Sequence, residues 1–344
     1  MASQQANTIS PADSAKIVIL VMMLAAFPLY LIYRTASDWM DQMLAGARVQ
    51  LFGQVLVAIL LESFPFVLLG AIVSGVLEAF VPADRLARLV PKRRWQRLLA
   101  AAGLGVVMPV CNCGIVPVGR RLIRKGLPFE MAVVYMLAGP ITSPIVIAST
   151  VVAFTGQGLS LWMTLGRVLC GLVVAMAVGL AVARWGGSLA LPPANHDSHG
   201  GAGCTGLRAA LPRIFHCAVQ DFVLLGGYLL MGSVIAAAFQ AFVPRDVLVS
   251  FGRMPVVGTA GMMAMAFVMN LCSEADAFVA ATFGQFTPAA RLAFLVFGPM
   301  LSFRMAAMYA GAMPRRMVLV MILAAAPLTL VVCELAGWLP ALFG

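Results

Sequence analysis

The chain has 344 residues, 62% of them hydrophobic and 10% charged, and a formal net charge of +10. A mean hydropathy of +0.98 excludes a soluble globular domain and marks a polytopic, all-α membrane protein. The positive charge does not point to nucleic acid, because Lys and Arg gather in short loops beside apolar runs of membrane-spanning length, which is a topology signal.

In chain order, the apolar run 16–33 comes first. No small-x-small site ends it cleanly, so it reads as an uncleaved N-terminal helix. A span needs about 20 apolar residues. The segments 51–81, 129–154, 159–184, 215–243, 288–311 and 316–340 meet that length. Two further segments are apolar but broken. The first, 97–119, is interrupted at Pro109–Gly114 and Pro117, and the second, 255–284, at Asn270–Asp276. Arg85, Arg88, Lys92, Arg93, Arg94 and Arg97 precede the first break, and Arg120, Arg121, Arg124 and Lys125 follow it. A crossing there would place dense positive loops on both sides, whereas a re-entrant hairpin keeps both on the cytoplasmic side. The expected topology is a cytoplasmic N-terminus, seven crossings, two re-entrant hairpins and an outer C-terminus. Nine full crossings is the alternative.

The domain reading follows from these marks. Residues 1–50 form an N-terminal helix and outer loop, and 51–185 a first repeat with re-entrant segment 97–126. Residues 186–213 form a cytoplasmic linker, and 214–344 a second repeat with re-entrant segment 255–286. The linker is Gly/Pro/Ser-rich at its start, so its His196, His199 and Cys204 read as a solvated loop rather than a metal site. The repeat rests on internal matches. "EAFVPADRL" (78–86) parallels "QAFVPRDVL" (240–248), and "AGPITSP" (138–144) parallels "FGPMLSF" (297–303). Cys113 stands 26 residues before Gly139, as Cys272 does before Gly298. Three true crossings per half would invert the second copy, an arrangement that places transport sites where discontinuous helices meet near the bilayer midplane.

The chemistry-bearing residues collect at the two breaks. Cys111, Asn112 and Cys113 stand at the first, and thiolates are soft ligands suited to soft ions and metalloids. Asn270, Cys272, Ser273, Glu274 and Asp276 stand at the second, and carboxylates within an apolar segment need a cavity, a cation or a proton. Arg304 lies in an otherwise uncharged stretch and is the natural partner of Glu274, Asp276 or an anionic solute. Glu62 and Asp221 sit within spans as further charge candidates, although Asp221 also suits the cytoplasmic surface. Thr142, Ser143 and Ser302 offer hydroxyls, either to a solute or to the broken backbone.

The run "MPVCNCGIVPVGRRLIRKGLPFEMAVVYMLAGPITSPIVIAST" resembles the predicted permease family that includes the organoarsenical permease ArsP and the YraQ-like proteins. "LLESFPFVLLGAIVSGVLE" resembles the family's opening helix. The resemblance covers roughly residues 50–344 and is looser in the second half. It implies a bacterial inner-membrane permease that exports trivalent organoarsenicals, with cysteines contacting arsenic. Cys111, Cys113 and Cys272 are the matching candidate ligands of such cargo.

The expected function is a secondary transporter, not an enzyme, that exports a soft, thiol-reactive solute. Cys111, Asn112, Cys113, Cys272, Ser143, Ser302 and Asn270 would contact the solute. Glu274, Asp276, Arg304, Glu62 and Asp221 would handle protons or charge. No Gly-x-x-x-x-Gly-Lys-Ser/Thr run occurs, so energy would come from a gradient or a partner. No cofactor or resident metal is expected. The partners are a small-molecule or metalloid solute and the lipid bilayer. The alternatives are a transmembrane thiol–disulfide electron carrier and a permease for another small anion or metal ion.

Overall fold

The computed structural model describes residues 47–80, 90–91, 93–107, 111–185, 207–242 and 255–343. The expected helix at 16–33, the charges at Arg85, Arg88 and Lys92, and the linker residues His196, His199 and Cys204 lie outside the described residues.

The described residues form α-helices and no strands. The first half contains α1 (Ala47–Phe80), α2 (Arg94–Val107), α3 (Asn112–Arg124), α4 (Phe129–Thr142), α5 (Pro144–Ala153) and α6 (Ser160–Trp185). The second contains α7 (Leu207–Phe242), α8 (Pro255–Met269), α9 (Ala275–Thr282), α10 (Pro288–Met300), α11 (Phe303–Ala312) and α12 (Arg315–Phe343). Each half therefore runs long helix, broken hairpin, interrupted helix, long helix. Among the described residues six spans are long and apolar enough to cross a membrane: Val49–Phe80, Phe129–Ala153, Ser160–Arg184, Ile214–Ala241, Pro288–Ala312 and Arg315–Trp338. α7 begins at Leu207, inside the segment read as linker, because "LRAAL" (207–211) is made of good helix formers.

The two interrupted spans break for different local reasons. Ser143 precedes Pro144, whose ring excludes helical backbone at the residue before it, and Ser143 takes φ −60°, ψ 132°. Pro144 then opens α5 at the first helical position, where its missing N–H costs nothing. In the second half Leu301 and Ser302 are both extended, and the Ser302 hydroxyl caps α11 by accepting from the Met305 amide.

Neither hairpin arm of the first half is long enough to span. α2 has 14 residues and α3 has 13, about 20 Å each against a hydrocarbon core of about 30 Å. The contacts set their directions. Arg97, near the start of α2, pairs with Glu130 at the start of α4 at 2.9 Å. Gly105, near its end, packs so closely on Gly139 that a Cβ there would lie 2.5 Å from the Gly139 Cα. α2 thus runs parallel to α4. α3 runs the opposite way, with Ile115 against Gly139 and Gly119 against Met136. α2 and α3 are therefore antiparallel, and the Gly105 end of α2 also meets Thr142, next to the Ser143 break.

The second hairpin repeats this plan. Ala266 near the end of α8 and Asp276 at the start of α9 both lie against Gly298 of α10. Phe283, just past α9, stacks edge-on against Phe294, further back along α10, at 6.1 Å. The centre of the molecule is α4 and α10, buried from Met131 to Thr142 and from Ala289 to Met300, as helices apolar on every side must be. Around them α1 packs on α7 and α6 on α12, while α3 meets α11 and α5 meets α9. One returning hairpin arm from each half thus touches an interrupted helix of the other half.

Candidate functional site

The first bend is a helix start. Cys111 is extended (φ −63°, ψ 167°) and its carbonyl accepts from the Gly114 and Ile115 amides, opening α3 without a side-chain cap. Asn112 and Cys113 follow, both buried. Cys113 lies near Tyr309 of α11, which places the first bend against the second half. The Asn112 Oδ1 is buried without a partner in the protein.

The second bend is built differently. Asn270 ends α8 at φ 53°, a left-handed conformation that asparagine tolerates better than most residues. Its side-chain nitrogen and oxygen are both buried and unpartnered. The Cys272 carbonyl accepts from the Asp276 amide at 3.0 Å, and its sulfur accepts from the Ala275 amide at 3.4 Å. Asp276 falls in the first turn of α9, where the helix dipole favours negative charge.

The two bends lie within electrostatic reach of each other. Glu274 acts electrostatically on both Cys111 and Cys272. Glu62 of α1 lies close to the Cys272 thiol. Two guanidiniums, Arg167 and Arg304, face Asp276, together with Glu274 and Glu62. Arg304 donates to the Ser63 hydroxyl of α1 instead of pairing directly with Glu274 or Asp276. Of the hydroxyls, Ser302 caps α11, and Thr142 donates to the Ala138 carbonyl within its own helix. Ser143 is buried at the break between α4 and α5. Among the described residues no three His, Cys, Asp or Glu side chains come close enough to hold a metal ion. Cys111, Cys113 and Cys272 are therefore neighbours around the bends rather than a closed ligand set.

Asp221 is not at the bends. It is buried at the far end of the first hairpin, where Arg120 and Arg121 of α3 pair with it at 3.0 and 2.9 Å. The Ser74 hydroxyl of α1 donates to it at 2.7 Å. Lys125 adds bonds to the carbonyls of Leu77 and Glu78.

One site residue escaped sequence reasoning. Arg167 of α6 is 1% exposed. It donates to the Thr150 hydroxyl of α5 and to the Ser273 carbonyl of the second bend, both at 2.8 Å. The available signal was its isolation, because it is the single charge within the interior of its span. That argument singled out Arg304 and applies equally to Arg167.

Two broken hairpins packed on the interrupted helices, with buried unpartnered polar atoms at both bends, define a multi-pass membrane protein with a polar centre. A model of the ArsP_1 family, described as predicted permease, matches residues 49–337. The chain belongs to that family and is a membrane permease. It is 36% identical over 269 residues to "UPF0718 protein YcgR" of Bacillus subtilis (strain 168), covering 78% of this chain and 90% of the relative. It is 32% identical over 293 residues to a Streptococcus mutans protein named "Putative two-component membrane permease complex subunit", covering 82% of this chain and 94% of the relative. No solved structure matches.

Proposed function

We propose that the protein is a secondary transporter of the bacterial inner membrane that exports a soft, thiol-seeking solute of the trivalent organoarsenical type. The solute binds between the two bends. Cys111 and Cys113 meet it from the first and Cys272 from the second, exchanging thiol contacts as it passes. Asn112, Asn270, Ser143 and Ser302 line its route. In this reading 97–126 and 255–286 are re-entrant hairpins entering from opposite faces, and the two halves are inverted copies with the N-terminus inside. The short arms of both hairpins and the positive residues at the base of the first support this arrangement. The observation that carries the proposal is the placement of Cys111 and Cys272, 161 residues apart in the sequence, beside one carboxylate, Glu274. Irregular backbone of this kind is tolerated within a membrane only where it is buried in protein or lines a wet cavity.

The test is protection of an arsenic-sensitive bacterial strain against methylarsenite. Expression of the wild type raises the tolerated concentration, and Cys113→Ser removes that gain at unchanged protein level. Equal protection by a triple variant lacking Cys111, Cys113 and Cys272 would sink the thiol-contact mechanism.

A further inference from the structure

The charged groups around the second bend do not balance. Glu62, Glu274 and Asp276 bring three carboxylates, and Arg167 and Arg304 bring two guanidiniums. One negative charge is left over in a region flanked by apolar helix. The remaining elements do not supply the missing cation. α5 has no ionisable side chain, and Arg291, the only charge on α10, donates to Gln157 at the other end of the hairpin. The cost falls on the buried member, Asp276, because an uncompensated charge in a low-dielectric interior costs several kcal/mol.

Two observations show where compensation would enter. Asp276 is 1% exposed, yet its Oδ2 has no hydrogen-bond partner in the protein. That oxygen points to the bare face of Gly298, where a Cβ would lie 3.0 Å away. The three acids also differ in burial, with Glu62 exposed, Glu274 half-buried and Asp276 fully buried. They form a graded series from the outside of α1 to the interior.

We propose that Glu62, Glu274, Asp276, Arg167 and Arg304 form a site for one monovalent cation, a proton or a sodium ion, loaded and released once per transport cycle. Arg167 is its positioning residue. It holds the Ser273 carbonyl and sets how strongly the acids retain the cation. This deepens the transporter reading and rests on it, because it assigns the ion whose gradient would drive export.

The test needs no cargo. The purified full-length protein in detergent is titrated with alkali while the infrared band of protonated carboxylic acid is followed, first in choline chloride and then in sodium chloride. The wild type shows an acid that Asp276→Asn removes. Arg167→Gln takes away one opposing charge, so the proton is held to higher pH, and the midpoint rises by about one to three pH units. Adding Glu62→Gln to Arg167→Gln restores the one-charge imbalance and brings the midpoint back, which a merely structural role for Arg167 would not do. Arg167→Lys stays near the wild type. If Arg167→Gln does not fold, Glu62→Gln alone must lower the midpoint. A lower midpoint in sodium than in choline assigns competition by sodium, and equal midpoints assign the proton alone. An Arg167→Gln midpoint equal to the wild type, or no titrating acid lost with Asp276, overturns the proposal. Loss of methylarsenite protection with this titration intact would reject the cargo and leave the cation site standing.

Discussion

The two hairpins share a plan and differ in where they keep their charge. The first holds its ionic groups at the base, where Arg120, Arg121 and Lys125 engage Asp221, Ser74 and Glu78, and it is uncharged at the bend. The second holds its charges at the bend, with Glu274 and Asp276 facing Arg167 and Arg304. Its base is held by one arginine and a neutral amide, Arg291 to Gln157 at 3.2 Å and Gln157 to the Ala281 carbonyl at 3.1 Å. A base clamped by buried ion pairs resists opening, because separating them strands charge in a poor solvent. A base closed by one charge-assisted and one neutral hydrogen bond, both through the exposed amide of Gln157, separates at less cost. On the proposed function, the first hairpin is the anchored element and the second the one that moves.

Four substitutions test that contrast. The largest effect is expected from Asp221→Ala, which removes the acid partner of half-buried Arg120 and leaves buried Arg121 with only Ser74 and a longer 3.8 Å contact to Glu78. It should cost about 3–5 kcal/mol, read as a large drop in melting temperature in detergent. Asp221→Asn, which keeps the shape, should cost less. Gln157→Ala at the second base, which takes the acceptor from buried Arg291, should cost about 1.5–3 kcal/mol. If it destabilises as much as Asp221→Ala, the contrast between the bases is wrong. Next is Gly70→Val in α1. Gly70 lies against the Gly114 backbone more closely than any Cβ tolerates, so α1 and α3 must separate, at about 1–3 kcal/mol on the same melt. The smallest effect on the melt is expected from Cys113→Ser, a near-isosteric change at the first bend. It should leave the melting temperature within about one degree of the wild type, consistent with a stability change well under 1 kcal/mol, while removing methylarsenite protection. A matching loss of stability would make that cysteine a packing residue.

Much of the architecture was legible locally. The spans read as apolar runs, and each expected break contains a bend, at Cys111 in the first and at Asn270 to Glu274 in the second, but Asn112 to Gly114 and Pro117, expected to interrupt the helix, lie inside α3, and Asp276 lies inside α9. The doubled Gly-Pro-x-x-Ser pattern marked the repeat, but the spans 129–154 and 288–311 that carry it were expected to be continuous; Pro144 breaks one, and the extended pair Leu301 and Ser302 breaks the other. The site was legible only as a set of candidates. Asp221 and Glu62 looked alike, as single acids within spans, yet Asp221 lies in the ionic base of the first hairpin and Glu62 beside Cys272. Arg304 was expected to pair with a carboxylate and instead donates to Ser63.

By itself the sequence determined that this is a helical membrane protein, where its helices lie, where they break and which reactive residues stand at the breaks. These follow from length, hydropathy and backbone chemistry, all of which act within a few residues. Only the tertiary structure decided which charge faces which: Arg167 from α6 and Arg304 from α11 converging on Asp276, and Arg121 reaching Asp221 a hundred residues away. A helix pattern shows which face is apolar, but a polar side chain that breaks the pattern carries no sign of its partner. The partner is chosen when the helices pack.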